Sequence, residues 1–182
     1  LVTLGQILDQ ADGEVRDLLI EDYASIAFRG FIEGFYGTWS HENRKSIMEY
    51  CGQFKMNSYL YGPKNDPYHR GQWKDPYPDD KLAELQELVE LGRETKVQFV
   101  WAAHPGGSID LGSEEDLQAL LDKFDQLYSI GVRQFGLFFD DSSTDFTNLA
   151  TFAAGVQAYI EEKGDVKPLI FCPQVYRKDD GT

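Results

Sequence analysis

From about Phe28 onward the chain alternates between two hydrophobic patterns. Short runs rich in β-branched and aromatic residues are each followed by a loop, then by a longer stretch with apolar residues at helical spacing. The short runs are Phe28 to Tyr36, Ser58 to Tyr61, Val97 to Ala103, Val132 to Phe139 and Pro168 to Cys172. The amphipathic stretches between them span roughly His41 to Lys55, Asp79 to Thr95, Ser113 to Ile130 and Phe146 to Lys163. In the second of these, Leu82, Leu85, Leu88, Val89 and Leu91 fall near one helical face. Ser40 and Ser113 stand where N-caps belong, and Asn43 occupies the capping-box position usually held by Glu or Gln. Gly131 supplies a helix stop.

Strands separated by helices of this length form parallel βαβ units. Two architectures accommodate them: a doubly wound open sheet and a (β/α)8 barrel. No GxGxxG follows the first strand, where Gly34-Phe-Tyr-Gly37 stands instead, so the α/β barrel is the expected fold. A barrel needs eight units and about 250 residues. This chain has 182 residues and about five βα units, so residues 25–182 are expected to form the N-terminal portion of such a barrel. Residues 1–24 differ in pattern. Val2 to Gln10 reads as a helix and Glu14 to Ile20 as a strand, together the tail of a preceding small α/β domain or an N-terminal extension.

Composition narrows the function classes. With 42% hydrophobic and 26% charged residues the chain can build a core and is not of disordered type. A formal charge of −14 repels nucleic-acid backbones and anionic membranes. No apolar run reaches the length of a membrane span, and no signal peptide is visible. The two cysteines, Cys51 and Cys172, lie far apart in apolar surroundings and read as buried free thiols. No His, Cys or carboxylate spacing suits a metal, and no cofactor is expected.

In a parallel barrel, chemistry collects at the C-terminal ends of strands. The sharpest such end is Gly136-Leu-Phe-Phe-Asp140-Asp141, two carboxylates after a strongly apolar strand. Two acids that close do not ionise together easily, and a carboxyl with a raised pKa suits protonation of a glycosidic oxygen. A polar strand terminus with an Asp cap is the competing reading. Lys64 follows a Pro at a strand end and reads either as a donor to a substrate hydroxyl or as a solvated loop lysine. Tyr36, Tyr68, Trp73, Trp101 and Tyr176 offer faces for a sugar ring, or ordinary packing. Glu33 lies within the first strand, and a buried Glu needs a partner. It fits a brace through a cation better than a catalytic acid.

Taken together these segments resemble glycoside hydrolase family 84, the O-GlcNAcases and related bacterial β-N-acetylglucosaminidases. The matching pieces are Arg29-Gly-Phe-Ile-Glu-Gly-Phe-Tyr-Gly37, Met56-Asn-Ser-Tyr-Leu-Tyr-Gly-Pro-Lys64 with Asp66-Pro-Tyr-His69, and Phe99-Val-Trp-Ala-Ala-His-Pro-Gly106. Phe138-Phe-Asp-Asp141 and Phe171-Cys-Pro173 with Tyr176 complete the series. The resemblance implies a retaining hexosaminidase that acts without a protein nucleophile, the substrate's 2-acetamido oxygen attacking the anomeric carbon to form an oxazoline. It implies that Asp140 orients the acetamido N–H and that Asp141 serves as general acid, then base. By the same resemblance, the Gly34 carbonyl and the Lys64 ammonium hold sugar hydroxyls, Cys172 lines the acetamido pocket and Tyr176 lies near the reacting centre.

The chain departs from the family pattern in three places. Thr38 meets Trp39 without the intervening Pro, Cys172-Pro-Gln-Val-Tyr176 lacks the usual Thr-Glu, and Ser142-Ser-Thr144 is unusual after the acid pair. In the family, C-terminal barrel residues also supply an Asp, Asn residues and a Trp to the sugar.

The implied partner is an N-acetylglucosamine-bearing glycan or glycoprotein. The implied compartment is secreted or periplasmic, with cytoplasmic as the alternative. A non-catalytic carbohydrate-binding barrel and a chitinase- or hyaluronidase-like endo-hydrolase are the competing functions. The second lacks the chitinase Asp-x-x-Asp-x-Asp-x-Glu run at the fourth strand.

Overall fold

A computed structural model describes residues 2–14, 17–37, 39–140 and 145–174. Five helices and five strands alternate: α1 (Val2–Asp9), β1 (Gly30–Glu33), α2 (His41–Gln53), β2 (Ser58–Tyr61), α3 (Asp79–Thr95), β3 (Gln98–Ala103), α4 (Glu114–Ser129), β4 (Phe135–Phe138), α5 (Leu149–Lys163) and β5 (Ile170–Cys172). All four strand pairings are parallel, and the sheet order is β1-β2-β3-β4-β5. A doubly wound sheet reverses its strand order partway across, whereas a barrel adds strands in sequence order. The sequential order and the curl of the sheet make this part of a (β/α)8 barrel.

Local chemistry sets the helix boundaries. The Ser40 hydroxyl accepts from the Asn43 backbone N–H at 3.1 Å, and Ser113 accepts from Asp116 N–H at 3.2 Å, satisfying donors that helix starts leave open. Helix α5 ends at Gly164 in the left-handed region (φ 73°), and α3 at Lys96 (φ 62°), whose N–H returns to the Gly92 carbonyl.

Strand parity divides the sheet into two faces. Phe31, Glu33, Tyr59, Tyr61, Phe99, Trp101, Phe135 and Leu137 alternate onto the outer face beneath the helices. There they join the core with Leu88, Leu120, Phe124 and Val156, and Phe124 stacks on Phe135 at 4.1 Å. Ile32, Leu60, Val100, Ala102, Gly136 and Phe138 alternate onto the inner face.

Three sequence expectations change. No strand forms in the described part of the Glu14–Ile20 segment, where Leu19 is 93% exposed; the apolar run Leu18 to Ile20 finds no neighbouring strand to pair with. Trp73 and Trp101 are fully buried core residues, so neither offers a face to a sugar. Cys51 is buried as expected, but Cys172 is only partly so, because β5 forms an edge of the described sheet.

Candidate active site

Parity carries the inner face past the strand ends. Gly34 follows Ile32, Gly62 follows Leu60, His104 follows Ala102, and Asp140 follows Phe138. Backbone hydrogen bonds extend the ladders into these positions: Gly62 N–H to Glu33 O (3.2 Å), Lys64 N–H to Phe35 O (3.4 Å) and Phe139 N–H to Cys172 O (2.8 Å). The result is a hollow of about 330 Å³ over the inner face, lined by Gly34, Lys64, His69, His104, Phe138 and Asp140 among others. Gly34, Lys64 and Asp140, named from the sequence, therefore share one hollow. The Asp140 side chain is 35% exposed, open enough to meet a ligand.

Cys172 lies beside Asp140. Burial pushes its thiol pKa up, and the neighbouring Asp140 carboxylate adds to the shift. The shift favours the protonated thiol. Cys172 is not among the described residues that line the hollow. Asp141 and Tyr176 lie outside the described residues.

The loop that presents Lys64 is held by two residues the sequence reading left without a role. Asp66 accepts from the hydroxyls of Tyr61 (2.8 Å) and Tyr77 (2.7 Å) and from Tyr68 N–H (2.8 Å), which starts the short 3-10 turn Pro67–His69. His69 reaches Pro63 O through Nε2 (2.6 Å) and Ala102 O through Nδ1 (3.1 Å), tying the β2 loop to the end of β3. Two carbonyl acceptors would suit an imidazolium. Burial outweighs them, pushing the pKa of His69 down to about 4. We assign the single proton of the neutral ring to Nε2, the nitrogen with the shorter contact.

His104 continues the chain of contacts. Its N–H donates to His69 O at 2.7 Å, and its Nε2 lies 2.8 Å from the Asp140 backbone carbonyl. Its Nδ1 is buried with no partner among the described residues. The two histidines therefore join the mouths of β2, β3 and β4. Asp66-Pro67 carries the Asp-Pro signal of a turn, which the sequence reading did not use; nothing in the sequence linked His69 to His104.

Glu33 is fully buried on the outer face, where its carboxylate accepts from Arg44 Nε (2.9 Å) and Nη2 (2.9 Å) and from the Tyr59 hydroxyl. The bracing cation is thus Arg44 of α2, and the position faces away from the hollow. Burial opposes the charge on Arg44, but the Glu33 hydrogen bond and nearby tyrosines hold its pKa above the ordinary value. Among the described residues no group of His, Cys, Asp or Glu could hold a metal ion, and no helix is long and apolar enough to cross a membrane.

Comparison with known proteins gives a consistent result. A family model described as beta-N-acetylglucosaminidase matches residues 29–182. The chain is 32% identical over 157 residues to proteins named Protein O-GlcNAcase from Rattus norvegicus and Mus musculus, covering 81% of this chain and 17% of each relative. Among solved structures it is similar to CpGH84D, with a TM-score of 0.90 and 46% identity, covering 98% of this chain and 31% of that one. An O-GlcNAc hydrolase mutant of Thermobaculum terrenum matches with a TM-score of 0.79 and 32% identity, covering 86% and 37%. The chain thus spans about a sixth of the length of these curated relatives and about a third of these solved chains.

Proposed function

Because the chain belongs to the β-N-acetylglucosaminidases of glycoside hydrolase family 84, we propose that the full-length protein removes terminal β-linked N-acetylglucosamine from proteins or glycans with retention of configuration. The observation that carries this reading is the shared hollow: the half-exposed Asp140 carboxylate, the Lys64 side chain and Gly34 lie around one cavity at the strand mouths. A carboxylate beside a cation and a backbone turn suits a neutral ligand rich in hydroxyl and amide groups.

In this reading Asp140 accepts the acetamido N–H and stabilises the charge that develops as the acetamido oxygen bonds to the anomeric carbon. The bond to the leaving oxygen breaks, and Asp141 gives that oxygen its proton. Water then attacks the anomeric carbon of the oxazoline, Asp141 takes the water's proton, and the acetamide is regenerated. Lys64 and the Gly34 carbonyl hold sugar hydroxyls. Tyr176 lies near the reacting centre. His104 fixes the backbone at Asp140, and the protonated Cys172 thiol walls the pocket without competing as a nucleophile. The first 24 residues are, on this proposal, the tail of a preceding small α/β domain or an N-terminal extension, and the protein is secreted or periplasmic.

The test uses the full-length protein and two kinds of β-N-acetylglucosaminide. Asp141→Asn should lower kcat/KM by about 10²–10⁴ on substrates with poor leaving groups and much less on activated aryl glycosides. Asp140→Asn should impair both kinds. Equal losses from Asp141→Asn on both substrates contradict the acid role, and saturable sugar binding without turnover by the wild type supports a carbohydrate-binding protein instead.

A further inference from the structure

At the N-terminal ends of the strands, opposite the Asp140 hollow, four cations converge on a second cavity of about 390 Å³. Arg93 and Lys96 come from the end of α3, Arg133 from the α4–β4 connection and Lys167 from the α5–β5 connection. Among the described residues no Asp or Glu lines this cavity. The chain holds 31 acidic and 17 basic residues, so a cavity whose charged lining is all basic runs against its composition. Seven of the described lysines and arginines have one within ion-pair distance. Arg93, Lys96 and Lys167 do not, although all three reach the same cavity. Asp165, two residues before Lys167, is engaged by Arg133 Nε at 2.8 Å and by the Tyr128 hydroxyl at 2.9 Å.

The backbone makes room for this arrangement. Gly131 has φ +100°, and a Cβ there would come within 2.2 Å of the Arg93 guanidinium. Glycine therefore lets the guanidinium lie against the end of α4. Attraction to helix C-termini draws single cations to such places, but that effect fades within a turn. Lys167 lies four residues beyond the end of α5, and the helix field does not account for a cavity without carboxylates.

We propose that this cavity is a binding site for a small phosphate-class anion carrying two or more negative charges. Arg93 and Lys167 have no hydrogen-bond partner for their charged groups among the described residues, so they are free to supply its ligands. Arg133, held by Asp165 and by the carbonyls of Tyr128 and Val132 (both 2.9 Å), is a fixed wall whose charge Asp165 offsets. A guanidinium offers paired donors to phosphate oxygens and an ammonium adds a point charge.

The full-length protein is titrated with inorganic pyrophosphate by calorimetry at constant ionic strength, and in parallel with inorganic phosphate. Saturable one-to-one binding is expected, weaker for phosphate, with affinity falling as sodium chloride is added. The Arg93→Gln/Lys167→Gln double variant should lose at least about tenfold in affinity. Should the double variant unfold, Lys167→Gln alone carries the test, with a smaller loss. Absence of saturable binding overturns the proposal. Binding that the substitutions leave unchanged also overturns it, by placing the anion elsewhere.

Discussion

Glu33 and His69 show how single residues hold the site in place without being part of its chemistry. Glu33 is fully buried with two nitrogens of Arg44 within 2.9 Å, so removing its charge strands a guanidinium that is only 11% exposed. Glu33→Gln is expected to cost about 3 kcal/mol or more of stability, read as a lower urea midpoint; a change below about 1 kcal/mol would show that the pair is replaceable. His69 makes a pH prediction. Its folded pKa of about 4 lies below the ordinary 6.5, so the unfolded chain takes up a proton that the folded one refuses. The contribution is complete above pH 6.5, declines as pH falls toward about 4 and is then spent; over that window it amounts to about 3 kcal/mol. Urea midpoints of wild type and His69→Gln across the window should converge as pH falls. Parallel curves would mean that the ring is charged in the folded protein.

The contacts between elements depend on close backbone approach as well as on apolar faces. At Gly92, near the end of α3, a Cβ would lie 2.5 Å from the Val97 carbonyl oxygen and 3.2 Å from the Met48 side chain. Helix propensity alone favours alanine there by about 1 kcal/mol. Overpacking against a backbone carbonyl that opens β3 costs about 1–3 kcal/mol. Gly92→Ala is therefore expected to destabilise, lowering the thermal midpoint; a stabilised variant would show that propensity wins. The α2 boundary was readable in advance, because Ser40 caps through its own side chain and needs no distant partner. The end of α5 at Lys163 followed from the periodicity, and the structure shows Gly164 closing it with a left-handed backbone. The helix starts at α3 and α5 lack such caps: Pro78 and Asn148 make no side-chain cap hydrogen bond.

At the scale of the whole molecule, the described sheet has two edges, β1 and β5, and apolar side chains stand exposed along both. Ile32 on the inner face is 48% exposed and Phe171 on β5 is 37% exposed. Unpaired parallel edges beside apolar groups favour association. The 182-residue chain on its own is expected to self-associate as its concentration rises, measured by sedimentation velocity, and Phe171→Ser should weaken this. A concentration-independent monomer would show that the edges are already protected. Charge is also unevenly distributed. The molecule carries a large acidic excess, yet the lining of the lower cavity is basic.

What the amino-acid order determined was the element series from Phe28 onward, its parallel α/β character, the Ser40 and Ser113 caps and the strand ends at which Gly34, Lys64 and Asp140 would be found. These are local properties: periodicity, capping chemistry and glycine conformation act over a few residues. What only the tertiary structure decided was which side of each buried strand faces inward. A strand apolar on both faces has no alternation to read, so Trp101 and Phe138 look alike in sequence although the first faces the helices and the second the hollow. The same holds for the link from His69 through His104 to Asp140, and for the meeting of Arg93, Lys96, Arg133 and Lys167. Apart from Arg93 and Lys96, those residues are distant along the chain and come together only because successive parallel strands begin and end at the same levels.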